Sequence, residues 1–246
     1  MTEGHAGLDK QMGPADAPAP AAPLALHPEG SKGKGRGPAK GHGPGWQTVE
    51  QEHEAIALGM WVFLTTEVLL FGGLITAYIV YRSLYPQAFA EASRHLNVVL
   101  ASINTVVLLS SSLTMALAVH AAQLDKRRAL VGFLVLTMLL GSIFLGIKAV
   151  EYYLDFQEKL VPALNFAYEG PNSEQVQLFF ILYFLMTGLH AIHLTIGIAI
   201  VGVIALLAWR HRFAPPRYMP VEVTGLYWHF VDIVWVFLFP LLYLMG

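Results

Sequence analysis

The side chains in this sequence that can do chemistry lie inside long apolar runs, where an unpaired charge is expensive. Glu67 sits midway along one of them, in Thr65-Thr66-Glu67-Val68-Leu69-Leu70-Phe71-Gly72-Gly73. A carboxylate at a bilayer centre costs roughly 2.5–3.5 kcal/mol on insertion scales, and from mid-run its head cannot snorkel to water. Glu67 is therefore expected to be protonated, hydrogen-bonded or beside a polar cavity. A proton-active group and a neutral carboxyl satisfied by a neighbouring helix both fit. His190 and His193 lie three apart in Gly188-Leu189-His190-Ala191-Ile192-His193 and so share a helix face. Their type suits metal or haem ligation. Two His on adjacent turns, however, do not reach opposite sides of a haem, and no third ligand stands out. Interhelical hydrogen bonds are the expectation for both, and no metal site is assigned.

The densest polar stretch runs from Glu222 through Gly225, Tyr227, Trp228, His229, Phe230 and Asp232 to Trp235. At helical pitch Glu222, His229 and Asp232 fall within about 80° of one another. An acid, a base and an acid on one buried stripe read as a relay or binding face, or as a network that fixes the helix in a bundle. Lys148 and Glu151, three apart, fall near the end of another run and are expected to form an ion pair, or to let Lys148 snorkel to headgroups. Asn97, Asn104 and Ser111, spaced by sevens, form a stripe expected to serve helix packing.

The elements that must position these residues are five apolar runs, at 56–81, 96–122, 129–152, 176–209 and 222–245. About 20 helical residues cross a bilayer core, so each is long enough to span. The fold class expected is an all-α integral membrane protein, five transmembrane helices in a bundle, with Pro240 kinking the last turn. Composition agrees. Of 246 residues, 55% are hydrophobic and only 13% charged, against roughly a quarter charged in soluble domains. Mean hydropathy is positive. The absence of Cys excludes disulfides, thiolate metal sites and cysteine nucleophiles on this sequence. A formal charge of −2 argues against nucleic acid as a partner.

Residues 1–45 contain ten Gly, seven Pro and eight Ala and no Val, Ile, Phe, Tyr or Trp. Such a segment is expected to be a disordered tail, and it has no apolar stretch of the kind a secretory signal needs. Residues 46–55 read as a polar interfacial lead-in, with Trp46 at headgroup level, and 46–246 as the membrane domain. Eleven of the fifteen Lys and Arg fall on one side if the N-terminus is cytoplasmic: the tail, then Lys126, Arg127 and Arg128, then Arg210, Arg212 and Arg217. The positive-inside rule accordingly expects a cytoplasmic tail and an outer C-terminus.

From Leu58 to its end the sequence resembles subunit III of the haem–copper respiratory oxidases. The resemblance is carried by Thr66-Glu67-Val68-Leu69-Leu70-Phe71-Gly72-Gly73, by Asn104-Thr105-Val106-Val107-Leu108-Leu109-Ser110-Ser111-Ser112 and by Ala149-Val150-Glu151-Tyr152-Tyr153. It is most specific in Gly188 to Gly197 with its two His, followed in order by Glu222 and Gly225-Leu226-Tyr227-Trp228-His229-Phe230-Val231-Asp232-Ile233-Val234-Trp235. What the resemblance implies is a helical subunit with no haem, redox metal or catalytic residue of its own. Its partners would be subunit I, which carries haems and copper, with subunit II and small subunits, in a prokaryotic cytoplasmic (inner) membrane. The family sustains proton uptake and protects the complex from turnover inactivation. Glu67 matches its carbodiimide-reactive carboxylate. Seven-helix members bind phospholipid in a cleft between their first two helices and the rest; those two helices have no counterpart here, so the cleft is expected to be incomplete or closed by another subunit, and where a lipid site survives it is expected near Glu67, His193 and Arg210. Glu67, Glu151, His190, His193, Glu222, His229 and Asp232 form the expected polar framework. The donor of such a complex is cytochrome c or quinol, and Glu222 with Tyr227-Trp228-His229 leans to the former. The rivals are an accessory protein of a nitric-oxide reductase and a stand-alone proton or ion transporter.

Overall fold

The computed structural model describes residues 49–162, 164, 166–168, 170, 172–210 and 219–244. The tail expected over 1–45, Trp46, Arg212 and Arg217 lie outside them. In chain order the elements are α1 (Val49–Leu84), α2 (Pro86–Ser93), α3 (Val98–Gln123), α4 (Arg127–Gln157), α5 (Ser173–Trp209) and α6 (Met219–Phe239), and a π-helical turn, Pro240–Leu244, continues α6. No strand occurs among the described residues. Five of the helices are long and apolar enough to cross a membrane: α1 from Glu54 onward, α3, α4, α5, and α6 with its π turn. The chain is thus an all-α, multi-pass membrane protein. α5 has 37 residues, about 55 Å of helix, so it projects beyond a hydrocarbon core of roughly 30 Å.

The structure adds detail at the helix ends. Residues 49–55 are the first turns of α1 rather than a separate lead-in. The short α2 was not expected from the sequence. Tyr85 leaves the helical region at φ −128° and ψ 56°, as a residue before proline tends to do, and Pro86 then opens α2 at a position where its missing N–H is not needed. Asn97, taken as part of a packing stripe, instead caps α3: its side chain accepts from the Leu100 amide at 3.0 Å. Two helices end in the same motif. After α3, Asp125 takes a left-handed φ of 55°, and the Lys126 amide donates to the Ala121 carbonyl at 2.9 Å. After α4, Lys159 takes φ 58°, and the Leu160 amide donates to the Asp155 carbonyl at 3.0 Å. These bonds use carbonyls the helix itself leaves unpaired. In the loop that follows, the Tyr168 hydroxyl donates to Glu91 of α2, and that bond holds the phenol above its usual pKa range.

α3, α4, α5 and α6 form a four-helix bundle in which α3 lies against α4 and α6, and α5 against α4 and α6. α1 rests on α5 and α6 and is the least buried span. At Pro240, where a kink was expected, α6 passes into a π turn. Proline donates no hydrogen bond and crowds the carbonyl one turn back, and the chain widens into the π turn. The Leu241 carbonyl there accepts from Tyr78 of α1 at 3.1 Å, so the irregular backbone is satisfied by another helix, as a membrane interior requires.

The core is aromatic: Trp228, Trp235, Tyr78, Tyr183, Phe89, Phe144, Phe179 and Phe180 are its largest fully buried side chains. Both tryptophans of α6 are tied to α3. Trp228 Nε1 donates to Ser111 Oγ at 3.2 Å and Trp235 Nε1 to Thr105 Oγ1 at 3.0 Å. Trp228 fits because two neighbouring helices offer glycine. A Cβ on Gly141 would stand 2.9 Å from its ring, and one on Gly197 3.3 Å. Gly141→Leu is expected to destabilise the bundle by about 1–3 kcal/mol through overpacking, seen as a lower thermal midpoint in detergent. Gly146→Leu, on the same helix but with no atom within 4 Å of its Cβ position, should leave that midpoint unchanged.

Candidate functional site

The expected site residues divide into three groups. The first joins α1 to α5. Glu67 Oε2 and His193 Nε2 are 2.9 Å apart, with side-chain exposures of 14% and 12%. His193 Nδ1 is 2.8 Å from the Leu189 carbonyl. That oxygen only accepts, so Nδ1 carries a hydrogen. The Glu67–His193 contact then holds one proton: either a carboxylic acid donates to imidazole, or imidazolium donates to carboxylate. Both forms are neutral overall, which is how a mid-membrane carboxyl is tolerated. Tyr227 of α6 donates to the His193 carbonyl at 3.0 Å, and Phe71 packs edge-on against the imidazole. Beside the pair lies a cavity of about 430 Å³ between α1, α5 and α6, lined by Met60, Phe63, Ile196, Ile200 and Val223 among others. Glu67 and His193, with Thr224 and Tyr227, set a few polar groups in a mostly apolar lining, which suits an amphiphile.

The second group is a buried cage at the other end of the bundle. Lys148 Nζ donates to Glu151 Oε2 at 2.8 Å, to Tyr243 at 2.9 Å and to Tyr183 at 3.3 Å. The Tyr243 hydroxyl in turn donates to Glu151 Oε1 at 2.5 Å. The rings of Tyr152, Tyr183, Trp235 and Tyr243 surround the ammonium at 5.1–5.6 Å, within cation–π range. Lys148 and Glu151 are each 3% exposed by side chain. The ion pair expected from their spacing is present; the alternative of a snorkelling Lys148 is not, because aromatic rings from α5, α6 and the π turn enclose it. Asp155, one turn on, is also buried.

The third group lies between α6 and α3. Gln123 Nε2 donates to Glu222 Oε1 at 2.8 Å. Ser112 Oγ and His229 Nδ1 are 2.7 Å apart. Asp232 is 2% exposed, and among the described residues neither of its carboxyl oxygens has a partner of normal hydrogen-bond geometry. Glu222 and His229 of the stripe bond to α3 rather than to each other or to Asp232.

Two expectations need correction. The first is the interhelical hydrogen bond of His190. His193 meets α1, whereas His190 is 1% exposed and its ring packs against Phe144 and Trp235. Neither ring nitrogen of His190 has a hydrogen-bond partner among the described residues, so its expected interhelical bond is not made. Arg210 does not join Glu67 and His193. It caps the exposed end of α5, 17 residues past His193 and so about 25 Å along the helix. At that end a residue not singled out from the sequence is engaged: Arg127 of α4 donates through Nε to the Ala208 carbonyl at 3.0 Å and through Nη2 to the Trp209 carbonyl, capping α5 in a way basic residues commonly do. Tyr183, Tyr243, Ser112 and Gln123 were likewise missed as partners. Among the described residues no group of three or more His, Asp or Glu is placed to hold a metal ion.

Five apolar spans, joined by polar contacts such as Glu67 to His193 and Lys148 to Tyr243, define a polytopic helical membrane subunit. The family model for cytochrome c oxidase subunit III matches residues 42–246. The chain belongs to that family, and is thus a subunit III of a haem–copper oxidase and part of a multi-subunit oxidase complex. It is 33% identical to a cytochrome c oxidase subunit 3 from Thermostichus vulcanus, over 80% of this chain and 97% of that one. To one from Synechocystis sp. it is 32% identical, over 76% of this chain and 74% of that one. To a probable quinol oxidase subunit 3 from Staphylococcus aureus it is 30% identical, over 79% and 91%.

Removing Lys148 leaves Glu151 buried with an uncompensated charge. Lys148→Met is expected to cost about 3–5 kcal/mol, lowering the thermal midpoint by roughly 10 °C. The double variant Lys148→Met, Glu151→Leu should recover most of that loss in the same melt, because it removes both buried charges together.

Proposed function

We propose that this chain is the non-catalytic subunit III of a proton-pumping terminal oxidase in a prokaryotic cytoplasmic membrane, packed against subunit I and supporting proton uptake and durability during turnover. The observation that carries this reading is the family match across 42–246, which takes in all five spans. The ionisable groups support a structural rather than a catalytic part, because Glu67, His193, Lys148, Glu151, Glu222 and His229 are each engaged with a neighbouring helix or the π turn. The charge bias of the loops supports a cytoplasmic N-terminus and tail, with the Trp209 end of α5 inside and the Lys148 cage near the outer face. The cavity beside Glu67 and His193 supports a phospholipid chain held there. Relatives named for cytochrome c and for quinol are similar to this chain at 33% and 30% identity, so the electron donor is selected elsewhere in the complex.

The test is purification of the native complex through this chain in mild detergent. Haem a bands and a large multi-helix partner are expected; b- and c-type haems with a nitric-oxide reductase partner, or a colourless lone chain, would overturn the proposal. A complex stripped of this chain should still reduce oxygen, but lose activity over successive turnovers faster than the intact complex, followed with an oxygen electrode.

A further inference from the structure

Where α4 begins and α5 finishes, a pocket of about 330 Å³ is lined by Arg127, Arg128, Val131 and Trp209. Its level in the membrane follows from the spans: the apolar stretch of α4 starts at Arg127, and that of α5 stops at Trp209. The pocket therefore lies at the boundary between hydrocarbon and headgroups. Trp209 is 67% exposed, and indole is favoured at that level. Further into the bundle α4 and α5 close on one another, since a Cβ on Gly202 would stand 3.2 Å from the Met138 methyl carbon. Gly202 is seven residues from Trp209, and Met138 seven from Val131, about 10 Å along each helix. The pocket is the open end of that seam. One turn inward on the same faces stand Val135 and Leu206, apolar and exposed.

The pocket is basic. Arg127 donates through Nε to the Ala208 carbonyl and through Nη2 to the Trp209 carbonyl, which fixes its guanidinium across the seam. Arg128 and its neighbour Lys126 are exposed, and among the described residues neither has a carboxylate partner. α4 has no acid in its first turn, so these cations stand against the helix dipole without compensation. Of the acids at this end, Asp125 is not among the lining residues and Glu222 is held by Gln123. The preference for positive charge on one side of a membrane accounts for the number of cations. It does not account for a pocket made from two of them and an indole.

We propose that this pocket binds the headgroup of an anionic phospholipid, with its phosphate on Arg127 and Arg128 and an acyl chain running inward over Val135 and Leu206. Charge complementarity selects the occupant. Basic pockets between membrane helices take anionic headgroups, and guanidinium groups offer paired donors to phosphate oxygens. A zwitterionic headgroup would bring an ammonium against two guanidinium groups. The apolar continuation inward favours a lipid over a free phosphate, which has nothing to place there. The site is separate from the cavity beside Glu67 and His193, which lies between α1, α5 and α6. The proposal rests on the membrane spans and not on the oxidase reading.

The test uses the native complex in phosphatidylcholine vesicles carrying a trace of photoactivatable phosphatidylglycerol. After illumination, peptide mass spectrometry is expected to find the probe on the segments around Val131 and Val135 of α4 and Leu206 and Trp209 of α5. A photoactivatable phosphatidylcholine in its place should label them much less. Arg128→Gln should cut the phosphatidylglycerol label about 5-fold, the effect of one basic residue at an anionic lipid surface, and Arg128→Lys should keep most of it. Arg128 is the position to vary because it is exposed, whereas Arg127 also caps α5. Equal labelling by the two probes, no label on these segments, or an unchanged label in Arg128→Gln would each overturn the proposal. So would loss of the label to excess soluble glycerol phosphate, which would make a free phosphate ester the occupant. An intact haem spectrum alongside any of these separates its failure from that of the subunit assignment.

Discussion

A hydrocarbon interior offers no water to an unpaired polar group, and that constraint sets the partners of most polar side chains in this bundle. Backbone groups are met by keeping to helices. Hydroxyls such as Thr65, Ser110 and Thr195 are met by carbonyls of their own helix, and the larger polar groups by crossing to the next: Glu67 to His193, Lys148 to Tyr183 and Tyr243, Trp228 and Trp235 to Ser111 and Thr105, Ser112 to His229. Apolar packing between membrane helices gains little from the hydrophobic effect, because lipid tails are as apolar as leucine. The polar crossings therefore carry the register of the bundle. A helix that slid by a turn would strand several of them at once.

α6 shows how the register and the packing fit together. Its two tryptophans put large apolar rings in the core and point their only donors at hydroxyls of α3. Trp228 is seated against Gly141 of α4 and Gly197 of α5, where no larger residue fits without displacement. Its π turn brings Tyr243 to the Lys148 ammonium and presents the Leu241 carbonyl to Tyr78 of α1. One helix thus meets all four other spans by a different contact, and the irregularity introduced by Pro240 is put to use at the point where α1 is fastened.

What could be read from the sequence and what could not follows from the range of the forces involved. The five spans were legible because length and hydropathy are local and a bilayer imposes a fixed minimum. Glu67 was legible as an anomaly because its cost depends only on depth. Its partner was not: His190 and His193 look alike three residues apart, and only the placement of α1 makes one a hydrogen-bonded neighbour and leaves the other among aromatic rings. The spacing of Lys148 and Glu151 gave their ion pair, but three of the four rings that enclose it come from residues 183, 235 and 243, far off in sequence. Arg210 was placed by its type alone, and the length of α5 carries it away from the cavity. α2 had a local signal in Tyr85-Pro86 but too few residues for a periodicity to show.

The two acid–base pairs of the bundle differ in a way that bears on what each can do. Lys148 and Glu151 are sealed, and their charges are compensated by groups that belong to the fold, so altering either one acts first on stability. Glu67 and His193 are several times more exposed, share a single proton and border a cavity large enough for part of another molecule. Moving that proton from carboxyl to imidazole changes neither the net charge nor the heavy-atom contacts, only the dipole presented to whatever fills the cavity. A group whose state can change at so little structural cost is suited to sensing an occupant, whereas the cage is suited to holding helices in place. Glu67 and His193 therefore stay open to a change of state that the sealed Lys148–Glu151 pair does not allow.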